Sequence, residues 1–404
     1  MSKSIVLYLH MHQPYRLKTY TIFDAAHDHH YFNDNSKSDL NNRYVFERAA
    51  EKSYRPMLAL LKRLISRHSS FRFSLSITGT FIEQAEAWAP DVLRSLKELV
   101  DTGRVEILGE TYYHSLAFFY SRPEFERQVS LHKEKIAAKF GVTPTTVFRN
   151  TELAYNNDLA DWAERRGYRG IVAEGWDSVL EWRSPNHVYK AAGTKNLKLL
   201  LRNYRLSDDI SFRFSNQSWK EWPLTAQKFA KWTTNNSPNS RIINLFMDFE
   251  TFGEHQSAAT GIFNFFEHFV TLWLQTEGNS FRTVSGAIDS CLPEGEISMP
   301  HTVTWADAER NLSAWNGNSL QQESLRYVYS LEADVLQTED KKIIRDWRRM
   351  LASDLTYYMS TKCHNDGSVH DYFSPYNSPY DAFLTYINTV RDMRWRIMQY
   401  RKNL

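Results

Sequence analysis

The chain is poor in cysteine: its 404 residues contain two, Cys291 and Cys363, far apart and in no Cys-x-x-Cys spacing. Neither a disulfide framework nor a thiolate metal site is expected, and both read as free thiols. An excess of charge is also missing, since 49 basic residues face 47 acidic ones and the formal net charge is +2. With no basic footprint, nucleic acid is not expected as a partner. No apolar run is long enough to span a bilayer. The start carries one Lys and a short apolar run, Ile5 to Leu9, that leads into His10 and His12 with no small-residue cleavage site. The expectation is a soluble cytoplasmic protein without a membrane partner.

Aromatic residues, by contrast, are plentiful, at 14% with 12 Trp and 22 Tyr. They suit a large core or a groove that stacks on flat apolar faces such as sugar rings. Over the first two thirds, β-rich apolar segments alternate with helical patterns. The strands expected are Ser4 to His10, Phe71 to Ile77, Val105 to Leu108, Thr146 to Phe148, Gly170 to Ala173, Leu197 to Leu201 and Ile242 to Met247. Helical spacing runs over Asn41 to Ser66, Pro90 to Thr102, Arg122 to Phe140 and Asn157 to Gly167. Such alternation predicts parallel strands covered by helices, and seven strands predict a closed or nearly closed barrel. After about residue 300 the segments Leu320 to Leu336, Thr338 to Thr361 and Pro379 to Arg401 are long and helical in period. We therefore read an α/β barrel over 1–300 and a helical bundle over 301–404, with the Trp- and Asn-rich loop Thr302 to Leu320 contributing to the same cleft.

The stretch Met247-Asp248-Phe249-Glu250-Thr251-Phe252-Gly253-Glu254-His255 follows the last apolar strand. Strand alternation sends Asp248 and Glu250 the same way, at the strand end where barrel enzymes keep their chemistry. A second short strand delivers Glu152 into the polar, aromatic run Asn150-Thr151-Glu152-Leu153-Ala154-Tyr155. Two carboxylates at two strand ends are what glycoside hydrolysis needs, and Glu250 reads equally as a structural anchor. His10 and His12 share a strand face and suit hydrogen bonding to sugar hydroxyls; the sharper alternative is a metal pair with an added carboxylate. Glu110, Tyr112, Tyr113 and His114 form a polar-aromatic cluster after the third strand, suited to stacking and hydroxyl recognition. Trp176 and Trp315 are candidate stacking platforms, with Asp177 and Gln322 as polar partners.

Five ordered stretches, His10 to Pro14, Glu106 to His114, Phe148 to Tyr155, Asp248 to His255 and Glu309 to Gln322, together resemble the motifs of glycoside hydrolase family 57. Ala173 to Asp177, Trp182 to Asn186, Leu206 to Asp209, Asp366 to His370 and Ser378 to Phe383 resemble its short, amylase-type members. The resemblance implies a (β/α)7 barrel followed by a helical region, retaining cleavage of α-1,4-glucosidic bonds in an α-glucan or maltooligosaccharide, and no cofactor or metal. By motif position it makes Glu152 the nucleophile and Asp248 the general acid/base. His10, His12, Glu110, His114, Trp176, Asp177, Glu250, Trp315 and Gln322 are then substrate-binding candidates. Asn311 departs from the pattern, where Asp is the more usual residue. The alternatives are a 4-α-glucanotransferase or branching enzyme of the same family, a non-catalytic glucan-binding homologue, and a metal-dependent deacetylase or mannosidase.

Overall fold

A computed structural model describes residues 3–235, 240–362 and 372–402. Cys363 and the run Asp366 to His370 lie outside the described residues. Ten strands form, β1 Ser4–Met11, β2 Phe73–Ile77, β3 Val105–Ile107, β4 Val147–Arg149, β5 Gly170–Glu174, β6 Val188–Ala191, β7 Lys198–Arg202, β8 Ile242–Asp248, β9 Ser280–Arg282 and β10 Glu296–Ile297. Every strand expected from the sequence is present with near-identical bounds. Those missed, β6, β9 and β10, are short segments without the apolar run that marks the others.

Seven parallel strands make the barrel. β1 lies between β2 and β8, β2 pairs β3, β4 pairs β5 and β5 pairs β7. The seam between β3 and β4 is closed by backbone bonds from Gly109 N to Val147 O (3.0 Å) and from Arg149 N to Gly109 O (2.8 Å). The seam between β7 and β8 has no ladder and is bridged by one backbone bond, Asn203 N to Asn244 O (3.0 Å), and by side chains. Asn244 Nδ2 donates to Leu201 O and Arg202 Nε donates to Phe246 O, each at 2.9 Å. β6 runs antiparallel against β7, carrying β10 on its far side, and β9 pairs the start of β1.

Strand alternation sorts side chains into two sets. On β1, Ile5, Leu7 and Leu9 belong to the core shared with the covering helices, whereas Val6 and Tyr8 join Leu108, Val147, Val172, Leu200 and Phe246 in a separate cluster inside the ring. Two residues further along each strand, the same inward files end in His10, Glu110, Arg149, Glu174, Arg202 and Asp248. The barrel is thus plugged by an apolar layer and capped at its C-terminal end by a polar one, the end at which such barrels carry chemistry.

The long helical pattern near residue 50 contains a π-helical turn, Ala50–Tyr54, between helices Asn42–Ala49 and Arg55–Arg67. The turn after β8 packs against it so closely that a Cβ on Gly253, at φ +109°, would lie 1.9 Å from Lys52 O. Glycine is therefore the residue that fits there.

Beyond the barrel come helices Ser319–Ser330, Glu332–Gln337, Lys341–Met350, Ser353–Tyr357 and Pro379–Lys402. The first two predicted segments are each divided, at Leu331 and at Leu351 and Ala352, whereas the last forms one helix with nearly the expected bounds. Their core includes Val328, Trp347, Tyr386 and Val390 together with Tyr15, Leu17, Tyr20, Tyr31 and Phe32 from the loop after β1. Ion pairs Arg348–Glu124 (2.8 Å) and Arg349–Glu83 (2.7 Å) tie the same bundle to barrel helices. Among the described residues no helix is long and apolar enough to cross a membrane.

Candidate active site

The polar cap is organised around Arg149, which is fully buried. Its Nη1 lies 3.3 Å from His114 Nδ1 and its Nη2 lies 3.4 Å from His10 Nδ1. A guanidinium only donates, so both Nδ1 atoms carry lone pairs and both Nε2 atoms carry the protons. His114 Nε2 therefore donates to Glu152 Oε1 at 2.8 Å, and His10 Nε2 to Glu110 Oε2 at 3.3 Å. Burial is the largest effect on both imidazoles and pushes them towards neutrality; Arg149 adds to it at His10, and His12 and Arg149 add to it at His114, which is brought down to about 4.

Glu152 sits on a tight 3-10 turn, Thr151–Leu153, in which both Glu152 (φ 59°) and Leu153 (φ 52°) adopt left-handed backbone; His114 (φ 53°) does so as well. Such conformations are costly for non-glycine residues and persist only where the surroundings hold them. Here Trp305 does so on two atoms, its backbone N donating to Glu152 O (3.2 Å) and its indole Nε1 to Glu152 Oε2 (2.6 Å). Burial pushes the Glu152 carboxyl up, but the hydrogen bond from His114, the Arg149 charge and the Trp305 N–H outweigh it and hold the group below its ordinary value.

Asp248 meets the opposite conditions. It ends β8 beside His10 in register, and its Oδ1 is 3.5 Å from His10 Nδ1, the nitrogen already turned to Arg149. Its side chain is 38% exposed. Burial, opposed by His255 and reinforced by the negative charge of Glu152, raises its carboxyl above the ordinary value.

Glu250 does not share the cleft with Asp248 as strand alternation predicts. The ladder ends at Asp248 and the chain turns through Phe249–Thr251, so Glu250 is buried behind the cleft, accepting from Tyr54 Oη at 2.6 Å. Burial, followed by the Asp248 charge, lifts its carboxyl to about 8.

His12 stacks on His114 with ring centroids 4.0 Å apart. The other candidates fall outside this group. Trp315 is 2% exposed and packed with Leu116, Ala314 and Tyr357, so it offers no face to a ligand. Gln322 is exposed and donates to Asn316 O (3.0 Å), because its neighbour Gln321 takes the buried capping position of that helix. Asp177, exposed, is held by Arg205 (2.7 Å) and Tyr204 (2.8 Å), and Trp176 is half-buried beside it.

Sequence reasoning did not single out Arg149, Trp305 or Asp354, the last reaching His12 Nε2 at 3.0 Å. Arg149 and Trp305 lay within stretches already assigned to the cleft. Among the described residues two side-chain sets place ligand atoms within 4.8 Å of one another, His10/Glu110/His114 and His12/His114/Asp354. Both share His114, whose two nitrogens already face Arg149 and Glu152.

Residues 6–300 match the model of glycosyl hydrolase family 57. The chain belongs to glycosyl hydrolase family 57. It is 40% identical over 369 residues to a Methanocaldococcus jannaschii protein named as a candidate alpha-amylase, covering 89% of this chain and 78% of that one. In fold it resembles a family 57 branching enzyme of Pyrococcus horikoshii, with a TM-score of 0.67, 15% identity and coverage of 92% of this chain and 88% of that one. It also resembles the 4-alpha-glucanotransferase of Thermococcus litoralis, with a TM-score of 0.63, 15% identity and 88% of this chain, although it spans only 56% of that enzyme's length.

Proposed function

We propose that this family 57 chain is a retaining glycoside hydrolase acting on α-1,4-glucans, with Glu152 as nucleophile and Asp248 as general acid/base. The observation that carries the assignment is the divergence of the two carboxyls: Glu152 is held ionised by His114, Trp305 and Arg149, while Asp248 is pushed towards its protonated form. Paired carboxyls driven apart by their surroundings mark acid and base in such sites.

In the first step a Glu152 oxygen attacks the anomeric carbon, the bond to the glycosidic oxygen breaks, and that oxygen takes the proton of Asp248. Glu152 is neutral once esterified, so its charge no longer raises Asp248, which then accepts a proton from water as the water oxygen displaces Glu152. Glu110 is fully buried and His10 nearly so, so neither offers a face to a sugar, whereas His12 is partly exposed beside them. Arg149, within 3.7 Å of Glu110 and in contact with both His10 and His114, already supplies the positive charge a metal would bring, which favours the metal-free reading.

The fold neighbours favour one further reading, a transferase in which a sugar hydroxyl replaces water in the second step. Incubation with maltoheptaose, resolved by chromatography beside a Glu152→Ala control, tests both. Shorter oligosaccharides alone identify hydrolysis; a ladder above and below the substrate identifies transfer. An unchanged substrate in every sample refutes action on α-1,4-glucans.

A further inference from the structure

The helical region approaches the candidate nucleophile at Ala352–Asp354, the N-cap and first residues of helix Ser353–Tyr357. Ala352 forms an antiparallel bridge with Ser115, and Ser353 N donates to His114 O at 2.9 Å. Ser115 O in turn accepts from Thr151 Oγ1 at 2.7 Å, the residue before Glu152. The backbone of His114, left-handed at φ 53°, is thus pinned from outside the barrel.

Asp354 adds a side-chain link. Its Oδ2 lies 3.0 Å from His12 Nε2, while His12 Nδ1 faces Thr78 Oγ1 at 2.9 Å. Burial raises the Asp354 carboxyl, but His12 and its hydrogen bond prevail and hold it well below the usual range, so Asp354 is ionised and His12 Nε2 carries the proton. Fixed at both nitrogens, the His12 ring lies 20° from parallel over His114, whose Nε2 meets Glu152.

We infer that Asp354 is a positioning residue for the nucleophile: acting through His12 and His114, it fixes the direction in which Glu152 faces the anomeric carbon. This rests on the roles proposed for Glu152 and His114. It accounts for the break between the helices at 351–352, since an unbroken helix would carry these backbone groups away from Ser115 and His114.

The test uses the full chain with α-maltosyl fluoride, whose leaving group needs no protonation, so that turnover reports attack by Glu152 without the acid. Asp354→Ala is expected to lower kcat/KM about a hundredfold, the size of loss that a displacement of about 1 Å produces at a reacting centre. Asp354→Asn, which keeps an acceptor for His12 Nε2–H, is expected to recover most of it. Nitrogen-15 spectra of the imidazoles, with His114 assigned from His114→Gln, supply a readout independent of turnover. Wild type and Asp354→Asn should show His114 protonated at Nε2 alone, and Asp354→Ala a mixture of tautomers. Wild-type turnover and an unaltered His114 signal in Asp354→Ala overturn the inference. If Asp354→Ala does not fold, Asp354→Leu, similar in size and without an acceptor, takes its place under the same criteria. A wild type inert towards the fluoride counts against the proposed function, while the spectra still decide the role of Asp354.

Discussion

The turn after β4 and the end of β8 each present one carboxylate to the same cleft, and the protein treats them in opposite ways. Glu152 is crowded by donors on a strained turn, whereas Asp248 ends a regular strand, 38% exposed and beside a histidine nitrogen that holds no proton. The surroundings thus lower the affinity of one carboxyl for its proton and raise that of the other.

Removing each carboxylate breaks the comparison most directly. Glu152→Ala should cost on the order of 10⁵-fold in kcat on every substrate. Asp248→Ala should cost about 10²–10⁴-fold on maltooligosaccharides and far less on a glycosyl fluoride, with azide restoring turnover of activated substrates. Equal losses of Asp248→Ala on both substrate classes would remove the acid role.

Trp305→Phe deletes one donor to a charged acceptor, a contact worth about 1.5–3 kcal/mol. Glu152 must be ionised to attack, and losing the N–H lets burial raise its carboxyl. The acid limb of kcat/KM against pH should therefore move to higher pH, and an unmoved limb would show that His114 and Arg149 suffice.

Glu250 offers a stability test. Its folded value of about 8 exceeds its ordinary 4.5, so the folded state keeps a proton that the unfolded chain releases. Stability should be greatest below pH 4.5, decline between 4.5 and 8, and level off above. Glu250→Gln, which preserves an acceptor for Tyr54, should flatten that decline in Tm measured across the same range; parallel curves for wild type and variant would refute it. The smallest effect is expected for Gln322→Ala, within about 0.5 kcal/mol of wild type in stability and unchanged in kcat/KM.

Much of this was legible from the residues. Apolar runs marked all the barrel strands because each is buried on both faces, and the two carboxylates stood out because each follows such a run. Alternation misled at Glu250, where the chain leaves the strand one residue after Asp248. Trp315 fails as a platform because position in a motif says nothing of which way a short helix turns its indole. Asp354 was unreadable for another reason: it lies in a segment whose period announces a helical bundle, and its contact with His12 joins residues 342 positions apart.

That last distance bears on how the molecule comes into being. A chain leaving the ribosome exposes both carboxylates long before the segment that docks on His114 has been made. Until then the turn bearing Glu152 lacks its outer brace and is free to relax from its left-handed backbone. The same contact that orders the cleft would therefore set the moment at which it becomes competent, once the helical bundle has closed over the loop that follows β1.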